Sequence, residues 1–452
     1  MKILILAILL AISFAAKKED LITTPLPGCG KWDFDAYSGY IPIDDQNKFH
    51  YFLVESQNKP ETDPLVIWFN GGPGCSSLLG FFNEHGPCVW DGLDTDAEPH
   101  NNEYSWNANA NVLYVENPAG VGFNVGYRGE YLNDKIAGDQ EESFVLNFYK
   151  AFPEYLNHEL YITGESYGGI YVPYLAYNLH RHGHTTKNGG DINLVGIGIG
   201  NGVTDWDYDT FPAYIALSYA HGLITLDLAN RLEKSNCDFR FFNLDNLRGT
   251  CARLFNEWYG AVQDINIYDV YRSPQDGGLM SKAEKIHDLL KSDKKKQKVG
   301  YANFLDRFQN QNSFSSQIPD YLDRNDVREI LHVTEKTGGW EACTEFNYER
   351  LPEGTIWIYP KLKDAGYRIL KYSGDTDGSV PTLGTNQWIE NLGWDLKIDH
   401  DPFVIDGKVA GYYTLRDGLE YVIFHGAGHL VPLWMRKESQ YVINQWLNGK
   451  RP

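Results

Sequence analysis

An α/β fold on a central, mostly parallel sheet, interrupted by a mainly helical insertion, is predicted by three observations. Short β-branched and aromatic runs alternate with helical patterns, which is the sequence signature of a parallel sheet covered by helices. The strand signal fades between about residues 205 and 336, where polar helical stretches replace it. A Gly-flanked serine stands between a strand run and a helical pattern, in Gly164-Glu165-Ser166-Tyr167-Gly168-Gly169, where a sharp strand-to-helix turn belongs.

The elements follow in chain order. Residues 1–16 read as a signal peptide: Lys2 is basic, Ile3 to Phe14 is apolar, and the small residues around Ala15 and Ala16 suit cleavage there. The apolar run is too short to span a bilayer comfortably, and no second run of spanning length occurs, so the mature chain is expected to be soluble and free of membrane. Residues 17–204 form the first part of the core. They hold strand runs at Leu65–Phe69, Val112–Val115, Leu160–Thr163 and Leu194–Ile199, with helical patterns at Asp134–Phe152 and Ile170–His182. Residues 205–336 form the insertion. Its basic tract Lys291–Lys298 reads as a solvated loop or, alternatively, as a processing site in an exposed excision loop. Residues 337–452 complete the core, with strand runs Ile369–Tyr372 and Tyr421–Phe424 and helical patterns Gln387–Asn391 and Lys437–Leu447.

A formal charge of −20, from 60 acidic and 40 basic residues, argues against nucleic acid or an anionic membrane as partner. It suits solubility in an acidic compartment of the secretory route, where part of the carboxylates are neutral. Six cysteines, an even number behind a signal peptide, predict three disulfides, but six allow 15 pairings and spacing alone does not choose. There is no C-x-x-C and no Cys/His cluster with zinc spacing, so neither a metal nor another cofactor is expected.

Ser166 in a G-x-S-x-G turn is a candidate nucleophile, with the Tyr167 N–H at a helix start facing a developing oxyanion. An activated serine needs a base, and the base needs an acid to orient it. The acid is sought in Ser373-Gly374-Asp375-Thr376-Asp377-Gly378, after a strand run. Asp377 is favoured, and Asp375 is read as a partner of its own loop backbone. The base is sought in Phe424-His425-Gly426-Ala427-Gly428-His429. There His429 is preferred to His425, which lies nearer the strand end. The second oxyanion donor is expected from Asn70-Gly71-Gly72-Pro73-Gly74, at the end of an early strand, with the Gly72 N–H as candidate.

The stretches Asn70–Ser77 (NGGPGCSS), Gly164–Gly169 (GESYGG), Gly374–Asp377 (GDTD) and Gly428–Pro432 (GHLVP) together resemble the serine carboxypeptidases, peptidase family S10, of the α/β-hydrolase fold. The likeness runs from about Cys29 to the C-terminus. It implies release of C-terminal amino acids from peptides and proteins at acid pH, through an acyl-enzyme on Ser166. It also implies that Glu165 pairs with Glu84 and that the pair, with the Asn70 amide and the Gly71 N–H, binds the substrate's terminal carboxylate. The resemblance implies disulfides Cys75–Cys343, Cys237–Cys251 and Cys29–Cys88, and places Leu79 and Leu430 in the pocket for an apolar leaving residue. Family members are often homodimers, so self-association is allowed. Some are acyltransferases with the same triad, and a protective or scaffold protein on the same fold is a further alternative. Glu116 and Asn124 depart from the usual family residues, which puts their local hydrogen bonds in question.

Overall fold

The computed structural model describes residues 17–90, 98–126, 131–272, 317–333, 337–345 and 347–452. The expected signal peptide and the basic tract Lys291–Lys298 lie outside the described residues, as does part of the insertion.

Ten strands form one sheet. In chain order they are β1 (Ala36–Pro42), β2 (Lys48–Val54), β3 (Leu65–Phe69), β4 (Asn111–Val115), β5 (Leu160–Glu165), β6 (Leu194–Gly200), β7 (Arg368–Gly374), β8 (Leu396–Ile405), β9 (Lys408–Arg416) and β10 (Leu419–Phe424). Their spatial order is β1-β2-β4-β3-β5-β6-β7-β10-β9-β8. The six central strands from β4 to β10 run parallel, and the hairpins β1–β2 and β8–β9 join antiparallel at either edge. The sheet is therefore two contiguous blocks of chain, residues 36–200 and 368–424, that meet only where β6 pairs with β7.

Each central strand is buried on both sides, which is why it reads as an unbroken apolar run. In β3, Leu65, Ile67 and Phe69 join one core cluster, and Val66 and Trp68 join another on the opposite face. The first face is covered by helices α1 (Asp134–Ala151) and α2 (Gly168–Arg181), through Phe144, Phe148, Ile170 and Leu175. The C-terminal helix Arg436–Leu447 covers the second face with Val442, Ile443 and Trp446. Asn133 caps α1, its side chain accepting from the N–H groups of Lys135 and Ile136.

Between β6 and β7 the chain leaves the sheet. The described part of this excursion includes helices Phe211–Ala220, Leu226–Lys234, Gly249–Val262, Gln317–Leu322 and Asn325–Ile330. The segment Asn266–Arg272 returns from this excursion to the C-terminal ends of β7 and β10. Val270 N–H donates to Thr376 O (2.9 Å), Gly378 N–H to Ile267 O (2.8 Å), and His429 N–H to Tyr268 O (2.7 Å).

Candidate active site

Ser166 sits between the end of β5 and the start of α2 with φ 58°, a left-handed conformation that a non-glycine residue adopts only when its surroundings impose it. Its N–H donates to Gly200 O, and its C=O accepts from Gly169 and Val203 N–H, each at 3.0 Å. A Cβ on Gly169 would stand 2.1 Å from Val203 O, and one on Gly164 2.6 Å from Phe69 O. The flanking glycines are thus fixed by close backbone approach. Ser166 is half-buried.

Asp377 and His429 come to the same edge from the ends of β7 and β10. His429 Nδ1 lies 2.8 Å from Asp377 Oδ2. Both side chains are buried. His429 Nε2 has no hydrogen-bond partner among the described residues, which leaves it available to a serine hydroxyl or a leaving amine. Asp377 is held by four donors. Ser379 N–H (2.7 Å) reaches Oδ1; Val380 N–H (3.1 Å), the Asn201 amide (2.8 Å) and His429 reach Oδ2. The competing pair is separate: Asp375 binds His425 Nδ1 at 2.6 Å and the Gly426 N–H at 2.7 Å, with the imidazole mostly in solvent.

The Gly-rich loop after β3 lies against the elbow. A Cβ on Gly71 would fall 2.4 Å from Tyr167 N and 2.6 Å from Ser166 Cβ. Among the described residues, the N–H groups of Gly71, Gly72 and Tyr167 donate to no protein acceptor. Three adjacent backbone donors without acceptors beside a serine can bind an anion.

Glu84 and Glu165 meet over this loop. The Asn70 amide donates to Oε1 of both, at 3.1 Å to Glu84 and 2.8 Å to Glu165. Asn70 is itself oriented, its Oδ1 accepting from Trp68 Nε1 (2.8 Å) and Gly80 N–H (2.9 Å). Glu84 rides on the π-helical turn Gly80–His85, pinned from outside by Arg436, which donates to the carbonyls of Glu84 (3.1 Å), Asn83 (3.1 Å) and Trp90 (2.8 Å). Burial raises the Glu84 carboxyl to about 7. Burial first, and then the neighbouring Glu84, push Glu165 well above the usual carboxylate range. Two enclosed carboxyls on one amide cannot both ionise cheaply, so the pair holds a proton. The Oε2 atom of each is buried without a partner among the described residues.

Several participants carry no signal in the sequence. Asn201, at the end of β6, bridges Asp377 and the Gly374 N–H (3.1 Å). The ring of Tyr268 packs 5.0 Å, centroid to centroid, from that of His429. The pocket expectation fares differently: Leu79 is fully enclosed in the second core cluster and Leu430 is 2% exposed, so neither presents surface to a substrate in this conformation. The six cysteines are bonded as Cys29–Cys88, Cys75–Cys343 and Cys237–Cys251.

The sequence profile described as Serine carboxypeptidase matches residues 27–449. The chain belongs to the serine carboxypeptidase family. It is 31% identical over 483 residues to the lysosomal protective protein of Mus musculus, with 98% of each chain covered. It is 32% identical to serine carboxypeptidase-like 26 of Oryza sativa subsp. japonica, over 92% of this chain and 87% of that one. Among solved structures, Kex1(delta)p, a prohormone-processing carboxypeptidase from Saccharomyces cerevisiae, superposes with a TM-score of 0.71 at 20% identity, covering 96% of this chain and 97% of that one. That likeness carries the α/β-hydrolase fold. Within this member of the family the two departures from the family pattern are well partnered. Glu116 accepts from Ser76 Oγ (2.6 Å), Trp340 Nε1 (3.0 Å) and Phe123 N–H (2.8 Å). Asn124 accepts from His50 N–H (2.7 Å) and donates to the carbonyls of Glu116 (2.8 Å) and Pro118 (3.0 Å).

Proposed function

We propose that the chain is a serine-type carboxypeptidase that removes the last residue of a peptide or protein in an acidic compartment of the secretory route. One observation carries the reading: a buried pair of carboxyls, Glu84 and Glu165, shares one amide beside the serine turn, where burial favours their protonated form. A protonated carboxyl donates to a terminal carboxylate, whereas an ionised one repels it. That arrangement selects a free C-terminus and has no use in a general esterase. Asn70 and the Gly71 N–H complete the proposed carboxylate site. Ser166 Oγ attacks the terminal peptide carbonyl while His429 Nε2 takes its proton, with Asp377 orienting the ring through Nδ1. The Gly72 and Tyr167 N–H groups stabilise the oxyanion. His429 then gives the proton to the leaving amino acid. Water, deprotonated by the same nitrogen, releases the shortened peptide from Ser166.

An N-blocked Phe-Leu dipeptide near pH 5, compared with its C-terminal amide, tests the reading. Release of leucine from the acid, much slower turnover of the amide, and a loss of about 10⁴-fold or more in Ser166→Ala are expected. Equal turnover of acid and amide would overturn the carboxylate site. No release from a protein still labelled at Ser166 by a fluorophosphonate would overturn the peptidase.

A further inference from the structure

The helix pair α1–α2 carries, at the end remote from Ser166, a cluster that the proposed hydrolysis does not use. Glu142 lies on α1; His182 and His184 lie just past the end of α2. Each offers one ligand atom, and these atoms all lie within 4.8 Å of one another. His182 Nδ1 stands 2.7 and 3.0 Å from the two Glu142 oxygens, and His184 Nε2 stands 3.5 Å from Oε1. Spacing among cysteines and histidines pointed to no metal, but Glu142 is 40 residues before His182 and only folding brings it in.

The backbone fixes both imidazoles. His182 N–H donates to Asn178 O (3.0 Å). Gly183 turns the chain at φ 77°, and His184 N–H then donates to Leu179 O (2.9 Å) while its carbonyl accepts from Ile192 N–H (3.0 Å). His180, two residues earlier, is engaged elsewhere, with Nδ1 2.9 Å from the Tyr367 hydroxyl. The Glu142 side chain is only 11% exposed, so its charge is poorly solvated, whereas His182 at 41% and His184 at 35% leave an ion a way in.

His182 is within hydrogen-bond distance of Glu142, whereas His184 stands only at ion-pair distance. The His184 separation of 3.5 Å is long for a hydrogen bond. It matches the spacing of about 3.4 Å between two ligands on a tetrahedral ion with bonds of about 2.1 Å. Two imidazole nitrogens and one carboxylate suit zinc, whereas Mg²⁺ and Ca²⁺ take oxygen. We propose that Glu142, His182 and His184 form a binding site for a divalent transition metal, Zn²⁺ foremost, with the remaining position open to water. The ion braces α1 to the end of α2, about 20 Å along the helix from the nucleophile turn at 1.5 Å per residue.

The test is Zn²⁺ titrated calorimetrically into the metal-stripped, disulfide-intact protein at pH 7.5, with Mg²⁺ as control. One saturable Zn²⁺ site per chain and a rise in thermal midpoint are expected in wild type. His182→Asn, His184→Asn and Glu142→Gln are each expected to weaken the site at least about tenfold and to abolish the rise. Fluorophosphonate labelling of Ser166 reports that each variant is folded. No saturable Zn²⁺ binding in wild type would overturn the proposal. So would unchanged affinity in the three folded variants, which would send the ion elsewhere, for example to the Asp375–His425 pair.

Discussion

At Asp377, burial and donors decide which aspartate can orient a histidine. Its carboxylate is enclosed and collects four hydrogen bonds, while Asp375, two residues away, is partly covered and pairs with the exposed His425. The sequence could be read as far as the order serine, aspartate, histidine, whose types the chemistry dictates, and the glycines around them, which close backbone approach dictates. It was silent on Asn201, since an asparagine after a strand is ordinarily a turn residue. Asn201→Ala removes a buried donor to Asp377 and leaves the Gly374 N–H without its acceptor. A loss of about 1–3 kcal/mol in denaturant unfolding is expected, with kcat reduced at least about tenfold and KM little changed. Unchanged kcat would show that Asp377 needs no such support. The acid pair gives a pH prediction. Glu84 sits at about 7, against an ordinary 4.5. From about 4.5 to about 7 the folded protein keeps a proton that the unfolded chain releases. Stability from this group is therefore fully present below 4.5 and is lost as pH rises through about 7. Terminal-carboxylate binding is expected to fail over the same rise, with KM for a free-acid peptide climbing up to about tenfold per pH unit above it. Glu84→Gln combined with Glu165→Gln should flatten KM between pH 5 and 8; an unchanged climb would place the titrating group elsewhere.

Among elements, the buried parallel strands were legible and the edge hairpins were not. Strands β3 to β7 and β10 read as apolar runs because both their faces are covered. Strand β8, Leu396–Ile405, is solvent-exposed along most of its length, and its lysine and aspartates give no alternation to detect. The π-helical turn Gly80–His85 was equally silent, and without the family likeness Glu84 would pass for an exposed loop residue, although it is wholly buried. The glycines of the loop after β3 were readable because their role is steric. Gly71→Ala would force a methyl to within 2.4 Å of a backbone nitrogen that cannot yield without displacing the oxyanion donors. A fall in kcat of about 10²-fold or more is expected, alongside a lower thermal midpoint. Full activity in Gly71→Ala would show that the loop and the elbow are not in the contact described.

Across the whole molecule, the proposed nucleophile and its proton carrier belong to different blocks of the sheet. Ser166 follows β5 in the block of residues 36–200, and Asp377 and His429 follow β7 and β10 in the other. The segment Asn266–Arg272, which grips both the aspartate and the histidine loops, precedes Gln317 in the chain. A backbone cut anywhere between Arg272 and Gln317 would give two polypeptides, the first with the serine and the grip, the second with the acid and base. Cys29–Cys88 and Cys237–Cys251 fall inside the first fragment, so Cys75–Cys343 alone would join the two covalently. The β6–β7 seam and the three hydrogen bonds of the grip would still align them. A protein nicked there is expected to keep most of its activity, to run as one band without reductant and as two with it. It should become irreversibly inactive only when denaturation and reduction are combined. In that outcome the nicked protein would be a heterodimer of its own halves, joined by one disulfide and the sheet seam.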